Sequence, residues 1–130
     1  MNAKEPVNIL LVDDQPAKLL SYEAILRDLG ENLIMAGSAR EALEHLLKTN
    51  IAVILIDVRM PEVDGIETAK RLKKRRPETN VILVTGLDEP QIEQQAREAG
   101  AVALLKKGAL HDQLKEAIIA AASSQRITAS

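Results

Sequence analysis

Five short apolar runs alternate with five longer amphipathic segments along this chain. The runs are rich in Val, Ile and Leu, are too short for helices, and cover residues 7–12, 33–36, 51–56, 81–84 and 102–105. The segments between them carry apolar residues three and four positions apart, the spacing of a helix with one buried face. They cover residues 16–29, 39–48, 66–75, 89–99 and 109–122. The pattern predicts strands and helices in strict alternation.

The predicted helix ends carry suitable residues. Pro16 fits the first position of a helix, Ser38 can cap the second helix, and Gly30 and Gly100 can close the first and fourth. Strands that are apolar throughout are typical of a parallel sheet covered by helices on both faces. We therefore expect an α/β fold, a doubly wound (βα)5 parallel sheet.

Length and composition agree with one small domain. The chain has 130 residues, and we expect a domain over residues 1–124 followed by a flexible tail over 125–130. Aromatic residues make up 1% of the chain, so the core must be aliphatic. Platforms that stack single-stranded nucleic acid, and aromatic cages, need several rings, and only Tyr22 could supply one.

Charge excludes further classes of partner. With 17 basic and 19 acidic residues the net charge is -2, which gives no general attraction to nucleic acid. The basic cluster over residues 70–76 ends a predicted helix, where cations complement the helix dipole. The chain has no cysteine and no apolar run near the 20 residues of a membrane span. We expect a cytoplasmic domain that contacts neither nucleic acid nor membrane.

Polar residues gather where the predicted strands end. In open α/β sheets ligands bind at the carboxyl ends of the strands. The residues in that position are Asp13, Asp14, Asp57, Thr85, Lys106 and Lys107. Three close carboxylates raise one another's pKa unless a cation lies among them, and oxygen ligands suit a hard divalent ion such as Mg2+.

Each of these residues also has a purely structural interpretation. Asp13 and Asp14 could cap the helix that begins at Pro16, Asp57 could belong to a turn, and Thr85 is a typical strand residue. Folding does not require all of them at the same end of the sheet. Their coincidence there favours a functional site.

Four segments in this order resemble the receiver domain of two-component response regulators. They are Val12-Asp13-Asp14, the stretch DVRMPEVDG at 57–65, the stretch VILVTG at 81–86, and Gly100-Ala101 leading to Lys107. The resemblance covers about residues 7–122. It implies the flavodoxin-like architecture with strand order 2-1-3-4-5, in agreement with the pattern of the runs.

The resemblance also implies a chemistry. In the family, the residue at the position of Asp57 accepts a phosphoryl group from the phosphohistidine of a partner histidine kinase or phosphotransfer protein, or from small phosphodonors. It implies that Mg2+ is held by three carboxylates and one backbone carbonyl, those of Asp13, Asp14, Asp57 and Arg59. Such a domain is a regulatory phosphoacceptor rather than an enzyme.

The remaining site residues link phosphorylation to output. By resemblance, Lys107 pairs with the phosphoryl group and the Asp57 carboxylate, and Thr85 donates a hydrogen bond to the phosphoryl group. Their shift would change the surface made by the fourth helix, the fifth strand and the fifth helix. That surface would bind a downstream effector protein or domain, or a second copy in a homodimer.

The chain departs from the family pattern at two positions. Leu104 stands where the family usually has an aromatic ring, and Gly108 stands where it typically has proline after a cis bond. We expect a trans bond at Gly108 and a looser loop. Because the loop is looser, Lys106 stays an alternative to Lys107. Arg59 and Leu87, which would line the path of water, predict slow hydrolysis.

Three other functions remain to compare. A pseudo-receiver that acts as a scaffold without phosphorylation would explain Leu104 and Gly108, but not the retained acidic residues. A hydrolase of the haloacid dehalogenase type needs an Asp where this chain has Arg59. A nucleotide or flavin site needs a Gly- or Ser-rich loop after the first strand, where this chain has acidic residues.

Overall fold

A parallel sheet of five strands forms the centre of the molecule. The computed structural model describes residues 5–60, 63–86 and 90–129. The sheet strands are β1 (Asn8–Val12), β2 (Asn32–Ala36), β3 (Val53–Asp57), β6 (Asn80–Thr85) and β7 (Ala103–Lys106). Two strands of two residues each, β4 (Arg59–Met60) and β5 (Val63–Asp64), form a small antiparallel pair after β3. The helices are α1 (Pro16–Leu26), α2 (Ala39–Lys48), α3 (Gly65–Arg75), α4 (Pro90–Glu98) and α5 (Leu110–Ala129).

The strand order is β2-β1-β3-β6-β7. Counted over the five sheet strands this is 2-1-3-4-5, so the predicted architecture is confirmed. In the centre of the sheet, Leu11 of β1 lies opposite Met35 of β2 on one side and Leu55 of β3 on the other. All five strands run in the same direction, and their carboxyl ends therefore meet at one edge.

Alternate residues of each strand supply two apolar layers. Leu10 and Val12 of β1 pack in the layer under α2, α3 and α4, whereas Ile9 and Leu11 pack in the layer under α1 and α5. Both layers are aliphatic as predicted, except for Tyr22, which lies buried between α1 and the sheet.

The helix ends follow the predicted residues closely. Pro16 begins α1, and the Ser38 hydroxyl accepts a hydrogen bond from the Glu41 amide at 3.1 Å. Gly30 and Gly100 have φ of 73° and 90°, in the left-handed region that favours glycine. The helix α5 continues to Ala129, past the predicted end at residue 122. Within the described residues, none of the helices combines the length and apolarity needed to span a membrane.

Candidate functional site

Four of the predicted site residues meet at the carboxyl edge of the sheet. Asp13 follows β1, Asp57 ends β3, Thr85 ends β6 and Lys107 follows β7. Because β1, β3, β6 and β7 are consecutive neighbours, these residues come from adjacent strands. Asp13, Asp57 and Thr85 are each at most 3% exposed, which is unusual for polar groups and requires partners.

The Asp57 carboxylate is bound on both oxygens. Oδ1 accepts a hydrogen bond from the Arg59 amide at 2.9 Å. Oδ2 lies 2.8 Å from the Lys107 ammonium and 3.7 Å from the Lys18 ammonium. Of the two lysines that the sequence leaves open, Lys107 is the one that pairs with Asp57. Two cations from different elements therefore approach the same carboxylate oxygen.

The Asp13 carboxylate lies beside Asp57 with weaker compensation. Its Oδ1 accepts from the Gln15 amide at 2.9 Å, and the Tyr22 hydroxyl donates to Oδ2 at 3.3 Å. Burial raises the pKa of Asp13, and the charge of Asp57 raises it further, while the Gln15 amide, Lys18 and Tyr22 lower it. Burial is the largest of these effects, so the net shift is upward and the charged form of Asp13 is disfavoured.

The cation and the hydroxyl beside these carboxylates both stay protonated at neutral pH. Burial lowers the pKa of Lys107, but its hydrogen bond to Asp57 and the charges of Asp57 and Asp13 outweigh burial and raise it overall. Burial and the charge of Asp13 raise the pKa of Tyr22. The site therefore presents an ammonium and a donor hydroxyl to anionic groups.

The donor set suits a hard divalent cation in part. Asp13 and Asp57 are two buried carboxylates that repel each other, and oxygen donors of this kind bind Mg2+. Asp14, however, is exposed. Within residues 5–60, 63–86 and 90–129, no three acidic or histidine side chains come together as a metal-binding group. The buried pair fits the metal, and the ligand roles of Asp14 and the Arg59 carbonyl remain predictions.

A close backbone contact holds the turn after Asp57. Gly65, the first residue of α3, donates its amide hydrogen to the Val58 carbonyl at 2.8 Å. A Cβ at Gly65 would collide with the Asp57 carbonyl oxygen and lie 2.8 Å from the Val58 Cα. Asp64 caps the same helix by accepting from the amides of Ile66 and Glu67. The start of α3 thus packs directly against the backbone of Asp57 and Val58.

Lys18 and Tyr22 are site residues that the sequence analysis missed. They lie on α1, four positions apart, and so share the face of the helix that meets the carboxyl edge. That spacing is the signal that could have identified them. Without the position of α1 on the sheet, Lys18 reads as a solvated helix residue.

The two departures from the family pattern lie on either side of Lys107. Leu104 is half-buried against the layer under α2, α3 and α4, opposite Leu83 of β6. Gly108 is exposed, with no atom within 4 Å of a Cβ built on it. The described residues contain no cis peptide bond, and the bond preceding Gly108 is trans as predicted. Arg59 is exposed at the start of β4, and Leu87 lies outside the described residues.

Known proteins resemble this chain over nearly its whole length. The family model of the response regulator receiver domain matches residues 9–119. The transcriptional regulatory protein ZraR of Escherichia coli is 35% identical over 109 residues, which are 84% of this chain and 25% of that protein. The response regulator GacA of Pseudomonas protegens is 31% identical over 92% of this chain and 57% of its own length. The chain thus spans only a quarter to just under three fifths of these relatives.

Solved structures give the same assignment. A CheY-like response regulator receiver domain protein from Methanospirillum hungatei superposes with a TM-score of 0.87 at 29% identity, over 95% of this chain and 99% of that one. The BeF3-activated DrrB receiver domain superposes with a TM-score of 0.81 at 26% identity, over 90% and 97%. From the matched residues, the strand order and these neighbours together, the chain belongs to the response regulator receiver domain family.

Proposed function

We propose that this chain is a phosphoacceptor receiver in which Asp57 takes a phosphoryl group from a phosphohistidine. The donor would be a histidine kinase or a phosphotransfer protein. One observation carries the proposal: the buried Asp57 carboxylate is held by the Arg59 amide on one oxygen and faces the Lys107 ammonium at 2.8 Å on the other. This arrangement orients the nucleophile and supplies positive charge where an acyl phosphate would form.

Phosphoryl transfer to Asp57 requires the protein to form only one covalent bond. An Asp57 oxygen forms a bond to phosphorus as the phosphorus–nitrogen bond of phosphohistidine breaks, and the electron pair of that bond stays on the imidazole nitrogen. The transition state is loose and spreads charge over the equatorial oxygens, so positioning and neutralisation dominate catalysis. Lys107 neutralises that charge from the β7 side.

A divalent cation belongs to the proposed mechanism. Asp13 and Asp57 would hold Mg2+, with Asp14 and the backbone carbonyl of Arg59 as further ligands. When bound, the cation would neutralise negative charge on the carboxylates and on the phosphoryl oxygens. The burial of both carboxyl groups supports this assignment, because a bound cation would offset the free-energy cost of burying two neighbouring negative charges.

Output would pass through Thr85 and Lys107. Thr85 is buried at the end of β6, next to the strand that carries Asp57, and would donate its hydroxyl hydrogen to the phosphoryl group. We propose that this contact and the movement of Lys107 alter the surface of α4, β7 and α5. Because Leu104 replaces the usual aromatic ring, aliphatic repacking would transmit the change.

The biological setting follows from the family. Receiver domains are regulatory, and the relatives named above are regulators of which this chain matches only a part. We propose a cytoplasmic signalling role without catalytic turnover. The α4, β7 and α5 surface would bind a downstream effector protein or domain, or a second copy of the chain.

Titration with beryllofluoride and Mg2+, observed by amide NMR, tests the proposal. The ion mimics a phosphoryl group on Asp57, and the related DrrB receiver is BeF3-activated. We expect shifts around Asp57, Thr85 and Lys107 that disappear in Asp57→Asn. A spectrum that beryllofluoride leaves unchanged would instead support a pseudo-receiver that acts as a scaffold, the alternative suggested by Leu104 and Gly108.

A further inference from the structure

A second lysine lies at the acceptor carboxylate. Lys18 is in the first turns of α1, and its ammonium lies 3.7 Å from Asp57 Oδ2, the same oxygen that Lys107 contacts at 2.8 Å. Its side chain is 31% exposed, close to the 35% of Lys107. Both ammoniums therefore stand at the mouth of the site, between the buried carboxylates and solvent.

The distances separate the two lysines by role. Lys107 is within hydrogen-bond range of Oδ2, whereas 3.7 Å is too long for a direct bond from Lys18. A phosphoryl group on Oδ2 would carry three oxygens outward from Asp57, toward the space that both ammoniums border. Lys18 is placed to bind an oxygen of that group rather than Asp57 itself.

Charge supports the same role. Lys18 and Lys107 bring two positive charges to the two buried carboxylates, Asp13 and Asp57, and both ammoniums lie at Asp57 Oδ2. A phosphoryl group adds about two negative charges, which a second ammonium can partly neutralise.

We propose that Lys18 is a second phosphoryl-binding residue, which holds the group on Asp57 from the α1 side while Lys107 holds it from the β7 side. This inference rests on the proposed phosphoacceptor function.

The same lysine should have the opposite effect on metal binding, which it should weaken. Since Lys18 places positive charge beside Asp13 and Asp57, it opposes a divalent cation at the same carboxylates. Loss of Lys18 should therefore weaken binding of a phosphoryl analogue and strengthen binding of Mg2+.

Three variants test the inference. Lys18→Met removes the charge and keeps the length of the side chain, and Lys18→Arg keeps the charge. Lys115→Met is the matched control, because Lys115 is a helix lysine 40% exposed whose ammonium lies 3.4 Å from Asp28.

Mg2+ alone is titrated first, and its binding is monitored by Tyr22 fluorescence and by amide NMR. Tyr22 is the chain's one aromatic residue, and its hydroxyl donates to Asp13. Beryllofluoride is then titrated at saturating Mg2+.

We expect Lys18→Met to bind beryllofluoride about tenfold more weakly, the loss of one charge-assisted hydrogen bond. We expect the same variant to bind Mg2+ several-fold more tightly, with Lys18→Arg and Lys115→Met close to the wild type in both titrations. Circular dichroism melting shows whether each variant is folded.

Three results would overturn the inference, and they are distinguishable. If the wild type binds beryllofluoride and Lys18→Met binds it equally well, Lys18 has no phosphoryl-binding role while the phosphoacceptor function stands. If the wild type itself does not bind beryllofluoride, both proposals are wrong. If Lys18→Met loses beryllofluoride and Mg2+ together, or Lys18→Arg fails like it, the lysine supports the structure of the site rather than the phosphoryl group.

Discussion

The buried polar groups at the amino edge of the sheet, where the strands begin, differ in kind from those at the carboxyl edge, where the strands end. At the amino edge, Thr79 is 2% exposed, and its hydroxyl donates to the Ile51 carbonyl at 2.8 Å. Asn80, at the start of β6, donates its side-chain amide to a backbone carbonyl of α5 at 3.0 Å. At the carboxyl edge, the buried polar groups include the acidic residues Asp13 and Asp57, and Asp57 pairs with the ammonium of Lys107.

This difference separates stability from function. A neutral hydroxyl with a backbone partner contributes to folding, because both groups are satisfied without any ligand. Two neighbouring buried carboxylates cost free energy unless cations compensate them. The amino edge therefore strengthens the fold, and the carboxyl edge holds buried acidic groups that the proposed metal and phosphoryl group would engage. Each of the following variants tests that division through the free energy of unfolding.

Gly65→Ala is expected to have the largest effect. The added Cβ meets the backbone at Asp57 and Val58, which cannot move aside as a flexible side chain can. We expect a loss of about 3 kcal/mol in the free energy of unfolding, at the upper end of overpacking effects, measured by urea denaturation. A loss of this size would show that the carboxyl edge is stabilised by backbone packing rather than by its charged groups.

Gly108→Ala is the matched control, since Gly108 is exposed and a Cβ there meets nothing within 4 Å. We expect its free energy of unfolding to change by less than about 1 kcal/mol. Equal losses in the two variants would contradict a specific role for the contact at Gly65.

Thr79→Val comes second. The variant keeps the shape of the side chain but leaves the buried Ile51 carbonyl without its hydroxyl donor. We expect a loss of about 1 to 2 kcal/mol, with unchanged affinities for Mg2+ and beryllofluoride. A change in either affinity would show that the two edges are coupled and would break the comparison.

Asp13→Asn should act in the opposite direction. Folding raises the pKa of Asp13, so the wild type loses stability as the pH rises from the unfolded pKa to the folded pKa of this group. Above the folded pKa, the whole cost of burying the charged carboxylate is present. We expect the neutral variant to be more stable than the wild type at pH 7 without metal, by less than Thr79→Val loses. Below the unfolded pKa the difference disappears.

At saturating Mg2+ the wild type should be more stable than Asp13→Asn, the reverse of the order expected without metal. A ligand at a hundred times its dissociation constant stabilises a protein by about 2.7 kcal/mol, and Asp13→Asn lacks a proposed ligand. Urea denaturation with and without Mg2+ measures both effects. If Asp13→Asn is less stable than the wild type in the absence of metal, the carboxyl edge carries no electrostatic cost and the comparison is wrong.

The sequence predicts one edge far better than the other. The apolar runs and the resemblance locate the strands, their order and the positions of Asp13, Asp57 and Lys107, because these follow from local pattern and motif. The contribution of Thr79 was not predictable, since its partner Ile51 lies 28 residues away on another strand end. Lys18 was missed for a similar reason: its role depends on the position of α1 against the sheet, which periodicity does not give.

Tyr22→Phe should have the smallest effect on the free energy of unfolding. It tests a case between the two kinds of buried polar group, a neutral hydroxyl that is bonded to a carboxylate. The Tyr22 hydroxyl is neutral, like that of Thr79, but it donates to a charged group, Asp13 Oδ2, over a longer 3.3 Å. We expect a loss of at most about 1 kcal/mol. Because this hydrogen bond lowers the pKa of Asp13, its removal should raise that pKa further and steepen the loss of stability with rising pH. In the Asp13→Asn background, Tyr22→Phe should leave the pH dependence unchanged. A steeper dependence in that background as well would mean that Tyr22 acts through a group other than Asp13.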